Sequence, residues 1–271
     1  MGRILREHML HAPTRSAYED AVQTRESFDY QWRKLPTGRN LPSDEAFMES
    51  APELICSLTD LPRGWFPGKR VLDLGAGMGR FSHGLLRLGA LVTASDQSAG
   101  GLKQAAALCS EWSDSLTLLQ RDILDWSDEE AFDLVFCFGV VHHTGNTYLA
   151  IRNAAIKVRL GGRLFLMVYG LPRTVEDMKA LNNYEALREE LYELSLEERA
   201  QELLRRFGPD LAHAYFDAVS PQINDLLSFH EIRQLLHRLG FENVRLTVDS
   251  RNHHLVADRR RSTSFAMESP S

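Results

Sequence analysis

Val71–Arg80 reads VLDLGAGMGR. Apolar residues flank an aspartate, a glycine-rich turn follows, and Phe81, Leu85, Leu86 and Leu88 then recur at helical spacing. The pattern predicts a buried strand, a tight turn and a helix. Gly75, Gly77 and Gly79 free the backbone to turn and leave no side chain between it and a ligand, while the start of the helix presents unpaired amide donors. A dinucleotide site calls for GxGxxG, whose third glycine would fall where this chain has Arg80, so the spacing here is GxGxG.

Outward from this turn, strands and helices alternate. Strand one is expected at residues 70–74, strand two at 91–95 closed by Asp96, strand three at 116–120, strand four at 132–138 and strand five at 163–169. Helices are expected over 99–111 and 148–160. This rhythm implies a parallel sheet covered on both faces, an α/β fold. It breaks at residues 171–227, which are charged and carry helical stretches such as NNYEALREELYEL and LEERAQELLRRFG. A segment of that length is read as an inserted helical lid, the alternative being a solvated helical hairpin. SFHE at Ser228–Glu231 is a capping box that restarts the core, and strands at 244–248 and 254–258 close it as an antiparallel hairpin. The expected organisation is a helical arm at 1–66, a core at 67–170, the lid at 171–227, the completed core at 228–260 and a disordered tail at 261–271. Within the arm, Pro13, Pro36, Pro42, Pro52 and Pro62 are expected to break the helices into short pieces.

The 271 residues suit one large α/β domain with additions, and 44% hydrophobic content can fill its core. A net charge of -6 gives no electrostatic reason to expect a nucleic-acid partner. Cys56, Cys109 and Cys137 are scattered and odd in number, pointing to a reduced intracellular protein. The longest apolar run, residues 132–141, contains Asp133 and falls short of the roughly 18 residues of a membrane span. The N-terminus has Arg3 and Arg6 but no apolar targeting region, so a cytoplasmic protein without membrane contact is expected.

Asp96 follows Asp73 by 23 positions and ends strand two. A carboxylate has two acceptor oxygens, so an acid there can take both hydroxyls of a ribose. Asp122 ends strand three and is followed by Ile123. Each acid alone could simply close its strand by bonding nearby amides.

Together, GxGxG with Asp73, Asp96 and Asp122 at three successive strand ends resembles the class I S-adenosylmethionine (SAM) methyltransferases. The resemblance implies a Rossmann-like, seven-stranded sheet ending in an antiparallel hairpin, with SAM as cofactor and S-adenosylhomocysteine as product. It implies cofactor contacts at Asp73, Gly75, Ala76, Gly77, Gly79, Asp96, Gln97, Asp122, Ile123 and Phe138. Asp73 would orient the turn and the ligand ammonium, Asp96 hold the ribose, Gln97 lie beside the adenine, and Asp122 take its amino group. FGVVHHTGN at Phe138–Asn146 is similar to the fourth segment of small-molecule methyltransferases, although Thr144, Gly145 and Asn146 replace the acid or proline common there.

Either His142 or His143 could act as a general base toward a hydroxyl acceptor, and either could be structural. Neither metal-ligand spacing nor an NPPY-like run is present, so no metal is expected and a nucleic-acid base is disfavoured. FDYQW at Phe28–Trp32 either packs in the core or caps the cofactor cleft, and Tyr30, Trp32 and Tyr169 are the expected acceptor contacts. The expected activity is methyl transfer to oxygen or nitrogen, with carbon a third option, of a small molecule by a monomer or homodimer. An RNA or protein methyltransferase and a noncatalytic SAM-fold partner protein are the alternatives.

Overall fold

A computed structural model describes residues 17–128 and 131–261. Arg3, Arg6, Pro13 and the expected tail from residue 262 lie outside the described residues. The apolar runs form β1 (Arg70–Leu74), β2 (Leu91–Asp96), β3 (Leu116–Gln120), β4 (Phe132–Phe138), β5 (Val158–Val168), β6 (Phe241–Val248) and β7 (His253–Arg259). They make one seven-stranded sheet in the order β3-β2-β1-β4-β5-β7-β6. The pairs from β3 to β5 are parallel, and β7 lies antiparallel to both β5 and β6. The chain runs outward from β1 to β3 and then returns to β4 beside β1, which opens a crevice at the carboxyl ends of β1 and β4.

Side chains alternate across the strands, so Val71 faces one core and Leu72 and Leu74 the other. The Val71 face is covered by α2 (Glu45–Thr59), α3 (Arg80–Arg87) and α4 (Ala99–Leu108). The Leu72 face is covered by α5 (Thr147–Ile156) and α8 (Phe229–Arg238). Phe136 and Phe165 stack at 4.6 Å in the first core, both fully buried. Each such side chain contributes roughly 1.5–3 kcal/mol by burial. A third apolar cluster stands apart from the sheet. It joins Leu35 at the end of α1 (Ala17–Lys34) to α6 (Val175–Glu190) and α7 (Leu196–Val219), with Leu187, Leu203 and Phe216 at its centre. α6 and α7 begin with capping boxes at Thr174/Asp177 and Ser195/Glu198, and α7 breaks at Gly208, just before Pro209.

Three local expectations are corrected. Pro52 does not end its helix but sits inside α2. Proline cannot donate to the carbonyl four residues back, and here Arg87 Nη1 donates to that oxygen, Met48 O, at 2.9 Å instead. The helix after Asp96 ends at Leu108 rather than near 111, because the following 3-10 turn carries Trp112 edge-on to His83 of α3 at 5.0 Å. The helix over 148–160 stops at Ile156 and β5 begins at Val158, where Arg259 Nη1 donates to the buried carbonyls of Ile156 and Val158. Among the described residues no helix is long and apolar enough to cross a membrane.

Candidate functional site

The glycine turn after β1 has positive φ at Gly75 (80°), Gly77 (53°) and Gly79 (83°). A Cβ on Gly75 would stand 2.1 Å from Val140, and one on Gly77 would stand 2.9 Å from the Trp32 indole, so packing as well as conformation requires glycine at both. The amides of Gly75 and Ala76 donate to Ser95 O at 2.7 and 2.9 Å, which ties the turn to the end of β2. Asp96 is held by backbone on both sides: Oδ2 accepts from the Gly77 amide at 2.9 Å and Oδ1 from the Ser98 amide at 2.8 Å. Burial raises its carboxyl above the usual range, with those amide bonds acting the other way. Asp122 Oδ1 accepts from the Leu124 amide at 2.9 Å.

Above these strand ends lies a cavity of about 490 Å³. Its floor is Gly75, Ala76, Asp96, Gln97, Asp122 and Ile123, with Phe138 from the end of β4. α1, α6 and α7 roof it. Phe28 of α1 meets His143 edge-on at 4.9 Å, and Trp32 one turn later covers Gly77 and lies 5.3 Å from His213 of α7. Gln31 between them donates from Nε2 to His213 O at 2.9 Å, fastening α1 to α7.

His143 Nδ1 lies 2.9 Å from Ile223 O. A carbonyl only accepts, so Nδ1 carries the proton and Nε2 is left with a bare lone pair. That Nε2 is buried and has no hydrogen-bond partner among the described residues. Burial lowers the imidazole below its ordinary value, with the Asp217 carboxylate of α7 acting against it, so the ring is neutral at pH 7. Tyr169, at the end of β5, lies 5.3 Å from His143 and donates its hydroxyl to Asp217 Oδ2 at 2.9 Å. Arg80 opens α3, lays its guanidinium over Phe81 and Phe138, and donates to Asn40 O at 2.7 Å.

One cavity thus gathers Gly75, Ala76, Asp96, Gln97, Asp122, Ile123, Phe138, His143, Trp32 and Tyr169. Five candidates stand elsewhere. Gly77 and Gly79 are covered by Trp32 and Ala105. Asp73 lies behind the turn, accepts from Ser82 Oγ at 2.6 Å, and is pushed up to about 6 by burial. His142 is fully buried behind His143, its ring 3.9 Å from that of Tyr169. Tyr30 points away, stacking on Phe216 in the third cluster. The sequence reading missed Arg188, His213, Asp217, Asn224, Arg251 and Asn252, which also line the cavity. The available signal was His213 and Asp217, polar residues four apart bordering the buried stripe Ala212, Phe216 and Val219 of α7. Among the described residues no cluster of three or more His, Cys, Asp or Glu could hold a metal ion.

A family model described as a methyltransferase domain matches residues 71–162. The ubiquinone biosynthesis O-methyltransferase of Vibrio vulnificus is 34% identical over 100 residues, covering 36% of this chain and 43% of the relative. That of Xanthomonas campestris pv. campestris is 36% identical over 102 residues, covering 37% and 43%. The chain therefore spans less than half the length of these curated relatives. Among solved structures, magnesium protoporphyrin IX methyltransferase from Synechocystis PCC 6803 superposes with a TM-score of 0.58 at 19% identity, over 90% of this chain and 100% of that one. The 1,6-didemethyltoxoflavin-N1-methyltransferase of Burkholderia thailandensis gives 0.56 at 17% identity, over 93% and 94%. Residues 71–162 thus match a methyltransferase domain, and the seven-stranded sheet around them has the fold of these solved methyltransferases.

Proposed function

We propose that the chain transfers a methyl group from SAM to a hydroxyl of a small-molecule acceptor. The observation that carries this reading is the bare, buried Nε2 of His143 at the roof end of a cavity whose floor is the strand-end acids. The floor residues fit SAM. The Asp96 oxygens take the Gly77 and Ser98 amides, one on each, and their remaining lone pairs face the ligand as acceptors for ribose hydroxyls, while Asp122 Oδ2 is available to an amino group. Ile123 and Phe138 offer apolar contact for a ring, and Gly75 leaves the turn open to the ligand. When bound, SAM supplies a methyl group already activated on a sulfonium.

The chain's own residues then have two tasks. The walls align acceptor oxygen and methyl group, an effect worth up to roughly 7–11 kcal/mol. His143 Nε2 takes the hydroxyl proton as the oxygen acquires the methyl, a contribution of about 100- to 10,000-fold. Helices α1, α6 and α7 cover the inner part of the cavity and limit the water that reaches the reacting atoms. The Vibrio and Xanthomonas relatives are O-methyltransferases by name, which agrees with an oxygen acceptor.

A macromolecular acceptor is disfavoured by the roof and by the surface charges. Arg205 pairs with Glu202, Arg206 with Glu190 and Glu202, and Arg261 with Glu242, so these arginines offer little net charge to a phosphate backbone. The test is to incubate the protein with methyl-labelled SAM and an extract of its host, then separate small molecules, RNA and protein. Label is expected in the small-molecule fraction. Label confined to RNA or protein, or none in any fraction, would overturn the proposal.

A further inference from the structure

We infer that the acceptor is an acid, its carboxylate bound by Arg251 in the turn between β6 and β7. The inference rests on the proposed methyl transfer and names the class of molecule that receives the group.

The turn is built to hold its shape. Arg173, just ahead of α6, donates to Asp249 Oδ1 at 3.2 Å and to Ser250 O, and Ser250 Oγ donates to Asn252 O at 2.6 Å. Gly170 packs against the turn so closely that a Cβ would stand 2.1 Å from Arg251 O. The turn thereby presents Arg251 and Asn252 to the cavity.

Arg251 is half-buried, yet among the described residues its guanidinium has no hydrogen bond and no carboxylate at ion-pair distance, the Asp177 carboxylate acting on it only from farther away. The other inner guanidiniums are engaged. Arg80 bonds Asn40 O and faces Asp217. Arg188 bonds Ala218 O and Pro221 O and lies 3.6 Å from Glu185. Arg25, Arg39 and Arg121 reach the cavity from its exposed rim, where solvent screens them. A partly desolvated cation with no counterion in contact is costly, and a ligand carboxylate reduces that cost while forming a charge-assisted bond.

The neighbouring amides are also unfilled. Asn224 Oδ1 and Asn252 Oδ1 are buried without a partner among the described residues. Asn224 Nδ2 donates to Pro221 O at 2.9 Å, so its oxygen stays available to a ligand hydroxyl. No described neighbour fixes the Asn252 amide, so it can offer a donor to an anion by a half turn. Tyr169 connects anchor and base: its ring lies 5.3 Å from His143, and the Arg251 charge acts on its hydroxyl. Asp217 and Glu185 share the roof, which opposes a dianionic phosphate and leaves a carboxylate as the better match.

To test this, a host small-molecule extract is treated with phosphatase and split on an anion exchanger. Each pool is then incubated with enzyme and methyl-labelled SAM. The bound, acidic pool is expected to take the label. Arg251→Gln should reduce that labelling at least about tenfold at limiting acceptor, in line with loss of one charge-assisted bond. Arg251→Lys should restore part of it, and S-adenosylhomocysteine affinity should be unchanged in both variants, which shows the fold intact. Labelling of the unbound pool alone, activity abolished by phosphatase, or an Arg251→Gln enzyme equal to the parent would each overturn the acid assignment. No label from either pool or from the undivided extract would instead overturn the methyl-transfer reading on which it rests.

Discussion

At the carboxyl edge of the sheet, candidate-site side chains are held by the backbone of the adjoining strand-end turns, whereas across the cavity they are held by single bonds that cross between separate segments. Asp96 is gripped by the amides of Gly77 and Ser98, and the turn that carries those glycines is bonded to Ser95 of the next strand. In the roof, Asp217 is held by the Tyr169 hydroxyl, His213 by Leu35 O at 2.7 Å, and the 220–224 segment by Gln23 and Thr24 of α1. Backbone positions tolerate almost any sequence around them, so such a floor suits a ligand that does not vary. A roof fastened by side chains that reach from one segment to another can be respecified residue by residue and can loosen without disturbing the sheet, as recognition of a particular acceptor requires.

The largest effect on cofactor binding should come from the floor. Asp96→Ala removes the acid proposed to hold the ribose and frees the amides of Gly77 in the turn and Ser98 at the start of α4. Loss of charged hydrogen bonds at about 1.5–3 kcal/mol each should weaken S-adenosylhomocysteine binding by roughly 100-fold. Titration calorimetry measures this, with the far-UV spectrum as the control for folding. Binding within about threefold of the parent would mean that the floor is not the cofactor site.

His143 stands at the boundary between floor and roof, and its replacement should separate binding from turnover. His143→Gln is expected to lower kcat by about 100- to 10,000-fold with S-adenosylhomocysteine affinity unchanged. The sign of the pH dependence follows from the imidazole's lowered value: the bare Nε2 persists through neutral pH and is lost only when the pH falls below the ordinary histidine range. In the parent enzyme kcat/KM should therefore be level through neutral pH and decline only on acidification below about pH 6.5. His142→Phe, whose ring lies behind the cavity wall, should keep kcat within about threefold. A parent profile without acid decline, or a His143→Gln enzyme of normal kcat, would remove the base and leave only alignment.

The same division decides what could be read from the amino acids alone. β3 and β4 lie at their expected bounds because each is a short apolar run stopped by polar residues. The floor acids were found because their placement depends only on where a strand ends. Arg188, Asp217 and Arg251 come from three segments whose meeting depends on α1 packing against α7 through Tyr30 and Phe216. An amphipathic helix shows which stripe it buries but not the partner against which it is buried. Tyr30 illustrates this: its neighbours in FDYQW reach the cavity, while the helical rotation between Phe28 and Trp32 sends Tyr30 into the roof's own core. Pro52 was misread for a related reason, since the arginine that satisfies Met48 O lies 39 residues away in sequence.

The smallest effect, and the one that most directly tests how the roof is fastened, should follow Tyr169→Phe. The change deletes the hydroxyl that donates to Asp217 and keeps the ring that packs against His142 and His143. Burial and the Asp217 charge raise this phenol well above its ordinary value, so in the parent it remains a donor at any pH at which the enzyme is assayed. The contact should cost about 0.5–1.5 kcal/mol to lose, equivalent to a KM for the acceptor raised by roughly two- to tenfold with kcat little changed. Hydrogen exchange locates the loss. Amides of α7 should exchange faster in the variant, while those of β1 and β4 keep their parent rates, because Asp217 belongs to the roof and the central strands are secured by their own ladder. Equal acceleration in strands and helix would show that floor and roof open as one unit, and the division drawn between them would then describe their construction but not their motion.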